Sequence, residues 1–138
     1  MRFQTATFSP PKQKESDIQK AVMEHLSAAG WVVIRINGGS FKDKSGNYIR
    51  NYIVQGLKDR SGNHASAGFP DVLALKGRHF LLLECKTEKG EASPAQMKFG
   101  KFAHQRDVAI YVVRSVKDVD PILKELKEEL ENGNNNGL

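Results

Sequence analysis

Two apolar runs separated by a three-residue break constrain this chain more than any other feature. Asp71-Val-Leu-Ala-Leu75 and His79-Phe-Leu-Leu-Leu-Glu-Cys85 flank Lys76-Gly77-Arg78. Runs of this length around a glycine-bearing turn predict the two strands of an antiparallel hairpin. Such pairing returns the end of the second strand to the start of the first. Asp71 and Glu84 are therefore expected side by side, although a whole hairpin separates them in sequence.

The spacing of apolar residues around this hairpin sets the remaining elements. Ile18, Val22, Leu26 and Ala29 predict a helix over 15–29, closed by Gly30. Trp31–Ile36 reads as a strand broken by Asn37-Gly38-Gly39. Tyr48–Val54 alternates like a second strand, reached from Ser40-Phe41-Lys42 through the turn Lys44-Ser-Gly-Asn47, and a polar loop spans Gly56–Gly68. Ser93 is placed to cap a helix that opens at Pro94 and runs to about Arg106. Val108–Val113 follows as a strand, then a helix opening at Ser115 or Asp118 and carrying Ile122, Leu123, Leu126 and Leu130. The expected fold class is α/β, a mixed central sheet flanked by helices in αβββαβ order, with an extra hairpin inserted. Residues 14–131 are expected as one domain, 1–13 as a mobile arm and 132–138 as a disordered polar tail.

Charge and cysteine usage narrow the function classes. The net charge is +5, but Lys117–Glu131 holds three Lys against two Asp and four Glu, so residues 1–116 carry +8. That body attracts polyanions. No apolar run approaches the ~20 residues of a membrane span, and the N-terminal stretch lacks the apolar core of a secretory signal. The single cysteine, Cys85, excludes an internal disulfide and a cysteine-based zinc site. A reducing, cytoplasmic setting is expected. His25, His64, His79 and His104 show no metal-binding spacing.

Glu84 stands where the run Phe80-Leu-Leu-Leu83 would otherwise continue with a hydrophobe. A carboxylate at the edge of a core needs a partner, because an unpaired buried charge is costly. Beside Asp71, that partner can be Mg²⁺, a hard cation that takes oxygen ligands, with the Cys85 backbone carbonyl as a further ligand. Lys86 lies two residues on and shares the face of Glu84. Its ammonium can contact an attacking water or a phosphate gaining charge. The plainer alternative is a Glu–Lys pair at a strand end and an unrelated turn aspartate. Glu15 shares the apolar stripe of the first helix, three residues before Ile18, and is either a metal ligand or an acidic residue favoured by the helix dipole. Gln19, one turn on from Glu15, can reach the same site, but is expected rather at the solvent surface. Lys42, Lys44, Arg50, Lys58 and Arg60, interleaved with Tyr48 and Tyr52, either track a phosphate backbone or form a solvated surface.

The ordered set Gly68-Phe-Pro-Asp71, strand, turn, strand, Glu84-Cys-Lys86 resembles the signature of the PD-(D/E)xK nucleases. With Glu15-Ser-Asp-Ile-Gln19 before it and Ser93-Pro-Ala-Gln96 after it, the chain is similar to the VRR-NUC (virus-type replication-repair nuclease) domain over residues 14–114. The resemblance implies a restriction-endonuclease-like core and a Mg²⁺-dependent endonuclease in which Mn²⁺ can substitute. Asp71, Glu84, Glu15 and the Cys85 carbonyl are implied as ligands, and Lys86 and Gln96 as catalytic. Gln96 would orient Lys86, the water or a phosphate; it can equally be a plain helix-start glutamine. The resemblance further implies structured DNA such as flaps or Holliday junctions, a role in DNA repair, and a homodimer. A sequence-specific restriction enzyme, a non-catalytic DNA-binding module and an RNA nuclease are the alternatives.

Overall fold

The computed structural model describes residues 13–36, 41–42, 44–46, 48–49, 54–58, 61–62 and 68–136. In chain order the elements are α1 (Glu15–Ala28), β1 (Val32–Arg35), β2 (Phe41–Lys42), β3 (Tyr48–Ile49), β4 (Val72–Lys76), β5 (His79–Cys85), α2 (Pro94–His104) and β6 (Ile110–Val113). A short 3₁₀ turn (Val116–Asp118) and α3 (Val119–Asn136) complete the chain. A mixed four-stranded sheet in the order β1-β4-β5-β6 forms the centre, antiparallel except for the β5–β6 pair. The parallel pair requires a crossover, and α2 supplies it. β2 and β3 pair apart from this sheet, as the inserted hairpin.

Local chemistry sets the turns. Gly30, at φ +91°, ends α1: its N–H donates to the Ser27 carbonyl at 3.0 Å and the Trp31 N–H to the Leu26 carbonyl at 3.1 Å. These are the two bonds of a Schellman motif, which leaves the chain free to turn into β1. β4 and β5 join through a two-residue turn whose first residue, Gly77, has φ +59°, the glycine position of a type II′ hairpin.

Strand alternation divides the apolar residues between two faces. Val72, Ala74, Leu81, Leu83, Cys85 and Val113 turn to one side, where Ile18, Val22 and Leu26 of α1 and Val119 and Ile122 of α3 close over them. On the other side, α2 brings Phe99 and Ala103 against Ile110 and Leu57. Part of that second face is open. Val32, Leu75 and Phe80, register partners across three strands, are 61%, 37% and 51% exposed.

Several boundaries differ from those read in the sequence. Of the strand expected over 48–54, Tyr48–Ile49 form β3 and Val54 packs into the α2 cluster, while residues 50–53 lie outside the described set. β6 begins at Ile110 rather than Val108, because Asp107 takes φ +58° and the Val108 N–H is spent on the Ala103 carbonyl, 3.0 Å away. α3 continues to Asn136, through most of the stretch expected as a polar tail. Among the described residues, no helix is long and apolar enough to cross a membrane.

Candidate metal centre

Hairpin register creates the centre. Val72 pairs with Leu83, and carrying that register one residue outward sets Asp71 opposite Glu84. Both are buried, at 5% and 4% exposure. Backbone groups fix Asp71 at each side. Its carbonyl accepts the Ile36 N–H at 2.8 Å, tying it to the end of β1. Its Oδ2 accepts the Cys85 N–H at 3.0 Å, tying it to the end of β5. Ahead of it, Gly68 passes against the start of α2 so closely that a Cβ there would lie 2.2 Å from the Ala95 carbonyl oxygen.

That close approach lets α2 deliver Gln96. Ser93 caps the helix as expected: its Oγ accepts the Gln96 N–H at 3.2 Å, and Gln96 Oε1 accepts the Ser93 N–H at 2.9 Å. The amide's other end is thereby aimed, and Gln96 Nε2 donates to Glu84 Oε1 at 2.7 Å. The helix-start glutamine thus also binds a carboxyl of the cluster. Its partner is Glu84, whereas the resemblance implied Lys86, a water or a phosphate.

Lys86 is 8% exposed, and its N–H donates to the Val113 carbonyl at 3.0 Å. Its Nζ lies 3.9 Å from Glu84 Oε1. Glu15, the first residue of α1, completes the group from a third element. One carboxylate oxygen each of Glu15, Asp71 and Glu84 lie within 4.8 Å of one another, close enough to hold a metal ion.

Electrostatics follow from this crowding. Burial pushes the Glu84 carboxyl up to about 8, with added contributions from its hydrogen bond to Asp71 and the charges of Asp71 and Glu15; the Lys86 ammonium opposes the shift. The Cys85 thiol, 0% exposed in the core, is pushed up to about 12 by burial and then by the same carboxylates. It is a packed thiol.

Other candidates are less concentrated. Lys44 and Lys58 are exposed, the Lys58 carbonyl accepts a hydrogen bond from Lys98 Nζ, and Lys42 lies in β2. Arg50, Arg60, His64 and Asn37 lie outside the described residues. Gln19 is a correction: it is 8% exposed instead of solvated, and its Oε1 has no hydrogen-bond partner. The signal was available, because Gln19 falls three residues before Val22 and seven before Leu26, both fully buried.

The sequence reading passed over Arg114. Its Nη1 reaches the carbonyls of Thr87, Glu88 and Gly90 at 2.6, 3.1 and 2.7 Å, pinning the loop that leaves Lys86. An arginine after an apolar strand carries no pattern that announces this.

A scan against protein-family models finds no match, and a search of curated proteins finds no significantly similar one.

Proposed function

We propose that this chain is a Mg²⁺-dependent nuclease on a restriction-endonuclease-like core, hydrolysing DNA phosphodiester bonds at Glu15, Asp71, Glu84 and Lys86. One observation carries the reading. Three carboxyl groups from three separate elements converge within 4.8 Å, beside a buried lysine. Ionising all three beside a single ammonium costs free energy, as the raised Glu84 carboxyl shows, and a bound cation would remove that cost. The donors are all hard oxygens, which fits Mg²⁺ or Mn²⁺ rather than a softer metal.

A bound divalent ion supplies Lewis acidity, polarising a phosphoryl oxygen and lowering the pKa of water. The chain's own residues do the rest. Glu15, Asp71 and Glu84 hold the ion. Gln96 fixes Glu84 through Oε1, leaving the remaining carboxyl oxygen of Glu84 to turn toward it. Lys86, held between β5 and β6, offers positive charge to a phosphate gaining negative charge. The Cys85 carbonyl remains a proposed extra ligand.

The similarity to VRR-NUC domains supports structured DNA, such as flaps or four-way junctions, as the substrate and a homodimer as the working form. The exposed row Val32, Leu75 and Phe80 is the surface that suits a second copy, since a two-fold interface pairs one apolar patch with itself.

The test is a panel of labelled linear duplex, flap, four-way junction, single strand and matched RNA. Each is incubated with Mg²⁺, with Mn²⁺ and with EDTA. Metal-dependent cleavage of branched DNA by wild type, lost in Asp71→Ala, is the expected result. Equal DNA binding by both without cleavage by either would make the chain a binding module instead.

A further inference from the structure

We infer that Gln19 is a working part of the same centre, its side-chain carbonyl accepting a hydrogen bond from water that the bound cation carries. The inference rests on the cation site proposed above and adds a positioning residue to it. Gln19 Oε1 is the one buried side-chain polar atom without a hydrogen-bond partner among the described residues. Native proteins satisfy the great majority of such atoms, and an orphan calls for an explanation. Packing does not supply one. Gln19 sits beside Ile18 and three residues before Val22, both in the main core, and an aliphatic side chain would fill that place without leaving a lone pair unmet.

Helix geometry says where the carbonyl is needed. Gln19 follows Glu15 by four residues, so the two share one face of α1, a turn apart. Side chains in a helix lean toward its N-terminus, and each covers the turn ahead of its own Cα. Gln19 therefore leans over the turn that carries Glu15. The other acceptors of the centre are partly committed: Asp71 Oδ2 to the Cys85 N–H, Glu84 Oε1 to Gln96. Mg²⁺ keeps several of its waters, and each needs an acceptor. An uncharged amide oxygen provides one without adding to the crowding of negative charge.

The test is Mn²⁺ binding to the full chain, followed by the loss of the free-ion paramagnetic resonance signal, in wild type, Gln19→Leu, Gln19→Glu and Asp71→Ala. Thermal melts of the metal-free proteins run alongside. Gln19→Leu is expected to bind Mn²⁺ about 10- to 100-fold more weakly, the usual effect of losing a group that orients a metal's first ligands. The same variant is expected to melt no lower than wild type, because the orphan carbonyl is gone. Gln19→Glu, which keeps the oxygen, is expected to retain binding. Should the leucine variant not fold, Gln19→Met gives the same comparison. Unchanged Mn²⁺ affinity in the leucine or methionine variant, with binding lost in Asp71→Ala, overturns the role of Gln19 alone. Absence of Mn²⁺ binding in wild type overturns it together with the cation site.

Discussion

Replacing Gly68 by alanine tests how tightly the loop carrying Asp71 is wedged against α2. The added Cβ would lie 2.2 Å from the Ala95 carbonyl oxygen, 2.5 Å from its carbon and 2.9 Å from the Gln96 nitrogen. All three are backbone atoms, and ordinary carbon contacts begin near ~3.5 Å. Gly68 also has φ +88°, a left-handed conformation that costs an L-residue about 1–2 kcal/mol. Relief requires the start of α2 to retreat by roughly 1 Å. That movement breaks the 2.7 Å hydrogen bond from Gln96 to Glu84, a loss of about 1–3 kcal/mol for a buried pair. Together the terms reach about 2–5 kcal/mol, a large share of the ~5–15 kcal/mol that holds a domain folded. At about 4 °C per kcal/mol for a chain of this size, the melting temperature falls by roughly 8–20 °C. Thermal unfolding followed by far-ultraviolet circular dichroism reads the shift directly. A Gly68→Ala protein melting within about 2 °C of wild type would refute the wedge and the route by which Gln96 reaches Glu84.

Three further outcomes follow from the same geometry. Glu84 titrates near 8 in the fold against an ordinary 4.5. The native state thus keeps a proton that the unfolded chain releases, and the stability this contributes is full below the ordinary value and lost as pH rises through about 8. The metal-free protein should melt lower at pH 8 than at pH 5, while apparent Mn²⁺ affinity rises about tenfold per pH unit toward 8; calorimetric titration showing no pH dependence would contradict both. Arg114→Met frees the loop over 87–90 from the guanidinium that gathers its carbonyls. It should lower stability by about 1–3 kcal/mol in urea unfolding and slow DNA cleavage while leaving Mn²⁺ affinity unchanged. The Cys85 thiol, held near 12, should react with a disulfide reagent only at the rate of unfolding; prompt labelling of the native protein would show that the β5 end is open.

The hairpin was legible because its information is local. Alternation of Leu81, Leu83 and Cys85 against Leu82 and Glu84 fixes the faces, and Gly77 fixes the turn, so Asp71 beside Glu84 needs no long-range contact to be inferred. Ser93-Pro94 and Gly30 punctuate their helices in the same local way. What the sequence could not carry was contact between elements distant in the chain. The partner of Gln96 depends on Gly68 passing against α2, and the grip of Arg114 depends on where a loop some 25 residues earlier comes to rest. Gln19 fails for a different reason: its polarity suggested solvent, and the helical spacing that buries it was outweighed. The length of β6 was overread because apolar composition continues through Val108 and Ala109, while the backbone there is spent turning away from α2.

Diffraction at the manganese edge from crystals grown with Mn²⁺ should give an anomalous peak within coordination distance of carboxylate oxygens from Glu15, Asp71 and Glu84, about 2.0–2.3 Å away. No peak there, with full manganese density elsewhere or none at all, would contradict the metal centre and the hydrolysis proposed to depend on it.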